Sequence, residues 1–143
     1  MPTKVAIAMD THPVTRLAAD WYLGNVAGDD HQVVFLHMSP SSAEPTATDI
    51  QKTVSELTAQ HSLPDERFQV CVVPTSANKK EGLAKDLLAE LNKISVDMVV
   101  LGCRYSQKSY LGSVSDYIIK NTSAVCLIKK LESVEDAAKA ALA

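Results

Sequence analysis

No stretch of this chain is apolar for long enough to cross a bilayer; its hydrophobic runs are strand-sized and broken by polar residues, whereas a spanning helix needs about 20 consecutive apolar residues. The amino terminus also lacks the basic start and apolar core of a secretory leader. These absences argue against a membrane role and make a cytoplasmic protein the expectation. Basic charge is thin as well. Lys and Arg number 14 against 17 Asp and Glu, for a net charge of −3, and they are scattered rather than gathered on one face. Nucleic-acid binding by phosphate neutralisation calls for a basic footprint, so no nucleic-acid partner is expected. There are only three cysteines, without CxxC spacing, and no His, Cys and carboxylate pattern suggests a metal site. Cys71 and Cys126 fall in predicted strands, where a thiol acts as a small buried hydrophobe. Cys103 follows a predicted central strand beside Arg104, a position that would leave it partly exposed and more acidic.

What is present fits one compact α/β domain. A length of 143 residues, 46% hydrophobic and 22% charged, is enough to bury a core without disulfides or metal. The first predicted strand covers residues 5–9. A helix begins near Pro13, with Val14, Leu17, Ala18, Trp21 and Tyr22 on one face, which makes Trp21 a core residue. Gly28, Asp29 and Asp30 break the chain before a second strand at 32–38, a continuous apolar run of the kind buried on both faces. His37 lies inside that run and reads as a satisfied core histidine, while His31 and His61 read as loop residues. A loop rich in Ser, Pro and Thr covers 39–46. The next helix starts near Thr48, with Gln51 placed for a capping box and Ile50, Val54 and Leu57 as its apolar stripe. Strand three, 68–73, is ended by Pro74. A helix over 80–94 follows, capped by Asn78 and striped by Leu83, Leu87 and Leu91. Strand four is 97–102, the fourth helix 113–121 and strand five 125–129. Strands joined by helical crossovers imply a parallel sheet covered on both faces.

The segment 97–129 carries the most chemistry. An apolar strand ending at Gly102 runs into a polar loop containing Arg104 and Lys108, and Gly112, Ser113, Val114 and Ser115 then open a helix. A loop and a helix N-terminus at the carboxyl end of a central strand form the usual ligand crevice of an open parallel sheet, where free backbone N–H groups can receive an anion. Gly102 and Gly112 would allow positive φ and close approach of backbone to ligand, and Ser113 and Ser115 offer hydroxyls. The same residues also have a plain structural reading, because Ser113 followed by Asp116 is a capping box. Asp10, at the end of strand one, is either an acceptor for a ligand hydroxyl or a carboxylate favoured by the following helix dipole. His12 and Arg16 lie close enough in sequence to reach a phosphate, though solvated side chains are the simpler reading.

These residues together resemble the universal stress protein family. The resemblance rests on Asp97-Met-Val-Val-Leu-Gly102-Cys-Arg104, on Leu111-Gly-Ser-Val-Ser-Asp116 and on Ala124-Val-Cys-Leu-Ile-Lys129. An opening strand Lys4-Val-Ala-Ile-Ala-Met-Asp10 and a second strand at Phe35-Leu-His37-Met38 add to it. It covers nearly the whole chain and implies a doubly wound open sheet of five parallel strands in the order 3-2-1-4-5, with the ligand at the gap between strands one and four. It also implies an adenine nucleotide (ATP, ADP or AMP, with magnesium an optional companion) held by Ala8, Met9, Asp10, Met38, Leu101, Gly102, Arg104, Tyr105, Gly112, Ser113, Val114 and Ser115. The family's nucleotide signature is altered here. Tyr105 stands where its second glycine would be, and the loop from there to Gly112 is three residues short.

The resemblance further implies a homodimer through strand five, whose Val125, Cys126, Leu127 and Ile128 form an apolar edge that would otherwise be a pairing hazard. The expected function is a stress or signalling protein that binds a nucleotide and is read by a protein partner; the alternative is a module of the same fold and dimer that binds none. Catalysis is not expected beyond slow adventitious ATP hydrolysis, since the loop offers donors but no evident base. Residues 1–130 would form the α/β domain and 131–143 a helical extension, in which Leu131, Val134, Ala138 and Leu142 recur at helical spacing behind a Ser133/Asp136 capping box. The extension could pack on its own domain or on a partner chain.

Overall fold

The computed structural model describes residues 2–10, 13–40, 44–75, 80–103 and 113–130. Within them the chain alternates β1 (Thr3–Ala8), α1 (Pro13–Asn25), β2 (His31–Pro40), α2 (Glu44–Gln60), β3 (Phe68–Thr75), α3 (Lys80–Ile94), β4 (Met98–Cys103), α4 (Ser113–Asn121) and β5 (Val125–Lys130). The strands form one sheet, all parallel, in the order β3-β2-β1-β4-β5. The expected architecture is therefore the observed one.

Burial explains the strand sequences. Val5, Ala6 and Ile7 of β1 are wholly buried, as are Val99 and Val100 of β4, because helices cover both faces of the central strands. Alternation then divides the core in two. Val5, Ile7, Val33 and Phe35 pack against α1 and α2, whereas Ala6, Leu36, Val99 and Leu101 pack against α3 and α4. The chain winds outward from β1 to β3 under α1 and α2, then returns to place β4 on the other side of β1. The reversal leaves a gap between the carboxyl ends of β1 and β4.

Several sequence expectations are corrected. Trp21 is not core: it is 37% exposed. The buried face of α1 is Val14, Thr15, Ala18, Ala19 and Tyr22, and at 3.6 residues per turn Trp21 falls about 90° from its centre. Pro74 does not end β3, which continues to Thr75 with Pro74 opposite Ser39. Having β2 as its one neighbour, this edge strand can lose an N–H. Strand β2 runs on to Pro40 and α2 starts at Glu44, a turn before Thr48. Pro45 thus sits in the first helical turn, where its missing N–H breaks no bond, and Thr48 is helical rather than a cap. His31 is the first residue of β2, not a loop residue. Cys103 is buried, while Cys71 and Cys126 are half-buried, the reverse of expectation. Strand β4 extends one residue further than predicted, and that residue is Cys103.

The end of the sheet opposite the gap is fastened by Tyr22. Its wholly buried ring stacks on His31, centroids 5.9 Å apart, with the hydroxyl 2.5 Å from His31 Nδ1, and Arg67 donates to the carbonyls of Gly28 and His31. Burial pushes the phenol up from 10.0 to about 12, with the Arg67 charge opposing and Asp30 adding to the rise. Between those two pH values the folded state retains a proton that the unfolded chain has lost, so stability falls as pH rises through this window. Tyr22→Phe should flatten that alkaline slope and, by removing the hydroxyl bond, cost about 1 kcal/mol at neutral pH. Urea unfolding at a series of pH values measures both.

Candidate functional site

A cleft of about 190 Å³ opens at the gap between β1 and β4. Its floor is the carboxyl ends of three strands: Ala8 and Met9 from β1 and the residue after it, Leu36 and Met38 from β2, Leu101 and Gly102 from β4. Leu83 and Leu87 of α3 close one side. The first turns of two helices supply the rest, Val14 and Thr15 from α1 and Val114 and Ser115 from α4. Among the described lining residues, Asp10 carries the one formal charge.

Asp10 is held by its own loop. The Thr15 hydroxyl accepts the Asp10 N–H at 3.1 Å and lies 3.0 Å from the Asp10 carbonyl and 3.3 Å from its Oδ1, either of which can take its proton. Thr15 is buried and Asp10 exposed, so the carboxylate stands at the mouth with its backbone fixed. The preceding residue is fixed from β2. Met9 N–H donates to the Leu36 carbonyl at 2.8 Å, and His37 Nδ1 lies 2.8 Å from the Met9 carbonyl. A carbonyl can only accept, so Nδ1 carries the proton and Nε2 the lone pair. Nε2 is buried with no hydrogen-bond partner, which corrects the reading of His37 as a fully satisfied core residue.

Gly102 is required, but not for the expected reason. Its φ is not positive. A Cβ placed there would lie 2.8 Å from the Val14 carbonyl oxygen and 3.1 Å from Val14 Cγ1, so the missing side chain makes room for the first turn of α1. From the opposite face Ser115 Oγ donates to the Gly102 carbonyl at 3.3 Å. Both helix starts thus converge on one residue.

Eight of the sequence-predicted nucleotide residues line this cleft: Ala8, Met9, Asp10, Met38, Leu101, Gly102, Val114 and Ser115. Ser113 begins α4; Arg104, Tyr105, Gly112 and the Ser113 side chain lie outside the described residues, as do His12, Lys108, Asn78 and the extension 131–143. Asp116 pairs with Lys120 along α4 at 2.9 Å. Arg16 pairs with Glu56 of α2 at 2.9 Å and does not line the cleft. Sequence reasoning missed Val14, Thr15, Leu36, Leu83 and Leu87. Leu36 was recoverable, since it shares a face with Met38 two residues on. Leu83 and Leu87 read as core because an apolar helical stripe looks the same over a core or a cleft.

At the sheet's other edge, β5 pairs with β4 alone among the described residues. Val125 is 63% exposed and Cys126, Leu127 and Ile128 are half-buried. Among the described residues no group of three His, Cys, Asp or Glu side chains could hold a metal, and no helix is long and apolar enough to cross a membrane.

Comparison with known proteins finds the same fold. The model of the universal stress protein family matches residues 1–130. A universal stress protein solved in complex with cAMP superposes with a TM-score of 0.69 at 13% identity, covering 90% of this chain and 97% of that one. The universal stress protein of Archaeoglobus fulgidus gives 0.63 at 9% identity, over 90% and 93%. UspA of Lactobacillus plantarum gives 0.61 at 9%, over 88% and 96%. No curated protein matches the chain by sequence.

Substituting Gly102→Ala should force the Val14 carbonyl and the first turn of α1 to shift. The overpacking is expected to cost about 1–3 kcal/mol, seen as a lower denaturant midpoint. A midpoint equal to wild type would mean that α1 does not need this approach.

Proposed function

Because this chain belongs to the universal stress protein family, we propose that its cleft binds an adenine nucleotide, and that binding rather than catalysis is its work. The observation that carries the reading is the convergence of Asp10, Met38, Gly102 and Ser115 on one cleft between β1 and β4, with the structural neighbour in complex with cAMP as support. Met38, Leu36, Leu83, Leu87, Leu101 and Val114 give an apolar slot for a flat base. The carboxylate of Asp10 at the mouth is an acceptor for a ribose hydroxyl. The N-terminal turns of α1 and α4, with their positive dipole ends, flank the exit where phosphates would lie.

The number of phosphates held depends on residues 104–112. With Tyr105 in place of a glycine and a loop three residues short, AMP and ADP suit the site as well as ATP does, with magnesium accompanying a longer phosphate chain. Ligand contacts with residues 104–112 would change the surface presented to a protein partner, the behaviour of a stress or signalling protein. The same departures favour a second reading, a module of the same fold that binds no nucleotide.

We assign the open edge of β5, with Val125, Cys126, Leu127 and Ile128, to pairing with a second copy of the chain, because an unpaired apolar edge is otherwise a route to aggregation. Sedimentation equilibrium is expected to return twice the monomer mass. A monomer at every concentration tested would remove this assignment without touching the cleft.

Calorimetric titration tests the nucleotide. AMP and ATP should each give saturable heat, and Asp10→Asn should weaken binding about tenfold, the worth of a hydrogen bond to a charged acceptor. Silence from both ligands, in protein shown by circular dichroism to be folded, would leave the interaction module.

A further inference from the structure

Trp21 and Val125, 37% and 63% exposed, are the large hydrophobic side chains left open among the described residues, and they share one side of the sheet. Along β5 side chains alternate, and Leu127 packs into the cluster beneath α1, so Val125 and Lys129 face the same way. The Lys129 ammonium lies 5.9 Å from the centroid of the Trp21 ring, joining the helix to the strand. Leu17, half-buried one turn before Trp21, extends the strip along α1.

The chain itself contains a segment that suits this strip. Beyond Lys130 the sequence places Leu131, Val134, Ala138 and Leu142 on one helical face and Glu132, Glu135, Asp136 and Lys139 around it. As a helix, residues 131–143 would be about 20 Å long at 1.5 Å per residue. The six residues of β5 span about the same length at 3.3 Å each, so a segment folding back from Lys130 reaches Val125. Its acidic residues exceed its one lysine, opposite in sign to Lys129 and Lys130.

We propose that residues 131–143 fold back as an amphipathic helix onto the α1–β5 surface of their own domain and cover Trp21 and Val125. Direct attachment to Lys130 gives the segment a high effective concentration at this surface, which a separate molecule lacks. Docked there, it lies beside the β5 edge on its α1 side and takes part in deciding how closely a second copy can approach.

The full chain has a single tryptophan, so Trp21 fluorescence reports the contact directly. In the full-length protein, Val134→Asp with Leu142→Asp should shift emission to the red and make acrylamide quenching more efficient. Val125→Asp, with sedimentation run alongside to separate loss of the dimer from loss of the cover, should produce the same changes with the segment intact, and combining all three should add little, as expected for two sides of one contact. Unchanged emission and quenching in both variants would overturn the proposal. So would a wild-type signal that reddens on dilution in step with loss of dimer mass, because the cover would then be a second copy.

Discussion

The close approach of α1 to β4 at Gly102 is the constraint on which the site depends. With the Val14 carbonyl 2.8 Å from where a Cβ would be, no residue but glycine lets the first turn of α1 sit down on the end of β4. That contact sets the depth of α1 over the sheet, and with it the position of Thr15, whose hydroxyl fixes the Asp10 backbone. The carbonyl of the same glycine receives Ser115 from α4. One small residue therefore fixes two helix N-termini, one on each face of the sheet, around a common opening. Were α1 held further out, Asp10 would lose its anchor and the cleft its wall.

A second constraint acts from β2. Met9 lies past the last residue of β1, yet it is held as firmly as a strand residue, its N–H by Leu36 and its carbonyl by His37. The arrangement leaves His37 Nε2 buried and unpartnered, at a cost on the order of 1–3 kcal/mol. A leucine at this position would avoid that cost but could not hold the Met9 carbonyl. The histidine is thus better explained by the geometry of the Met9–Asp10 turn than by stability, which places it among the residues that shape the site without lining it.

Which parts of this were legible in the sequence follows from the kind of signal each leaves. Strand and helix order was legible because apolar runs in β1, β2 and β4 and the Leu83, Leu87, Leu91 stripe are periodic over many residues. Strand order was not in the periodicity at all and came from resemblance. Trp21 was misplaced because a large aromatic near a helical stripe scores as core, although a quarter-turn of the helix separates the edge of a buried face from its centre. Pro74 was read as a break and Pro45 as part of a loop, since a sequence does not say that a strand lies at an edge or that a proline falls in a first helical turn. The role of Gly102 was visible only in part. Its need for close approach was legible, but not that the approaching group is the backbone of α1 instead of a ligand.

The dimensions of the cleft divide the proposed recognition into two parts. At about 190 Å³ it is smaller than the roughly 300–1,000 Å³ typical of pockets for whole drug-sized ligands, so it suits a base and part of a sugar, and the phosphates of the proposed nucleotide would lie outside it. In the proposed reading, selection of the base would rest with Met38, Leu36, Leu101 and the α3 leucines, side chains set by core packing and shared with the hydrophobic cluster on that face. Phosphate recognition would, in the same reading, fall instead to the helix starts and to residues 104–112. The two parts would answer to different pressures, because changes in the slot disturb the core cluster that Leu36, Met38, Leu87 and Leu101 share. On the proposed reading, a chain that keeps the slot while its 104–112 sequence is altered could change how many phosphates it distinguishes without changing the base it takes.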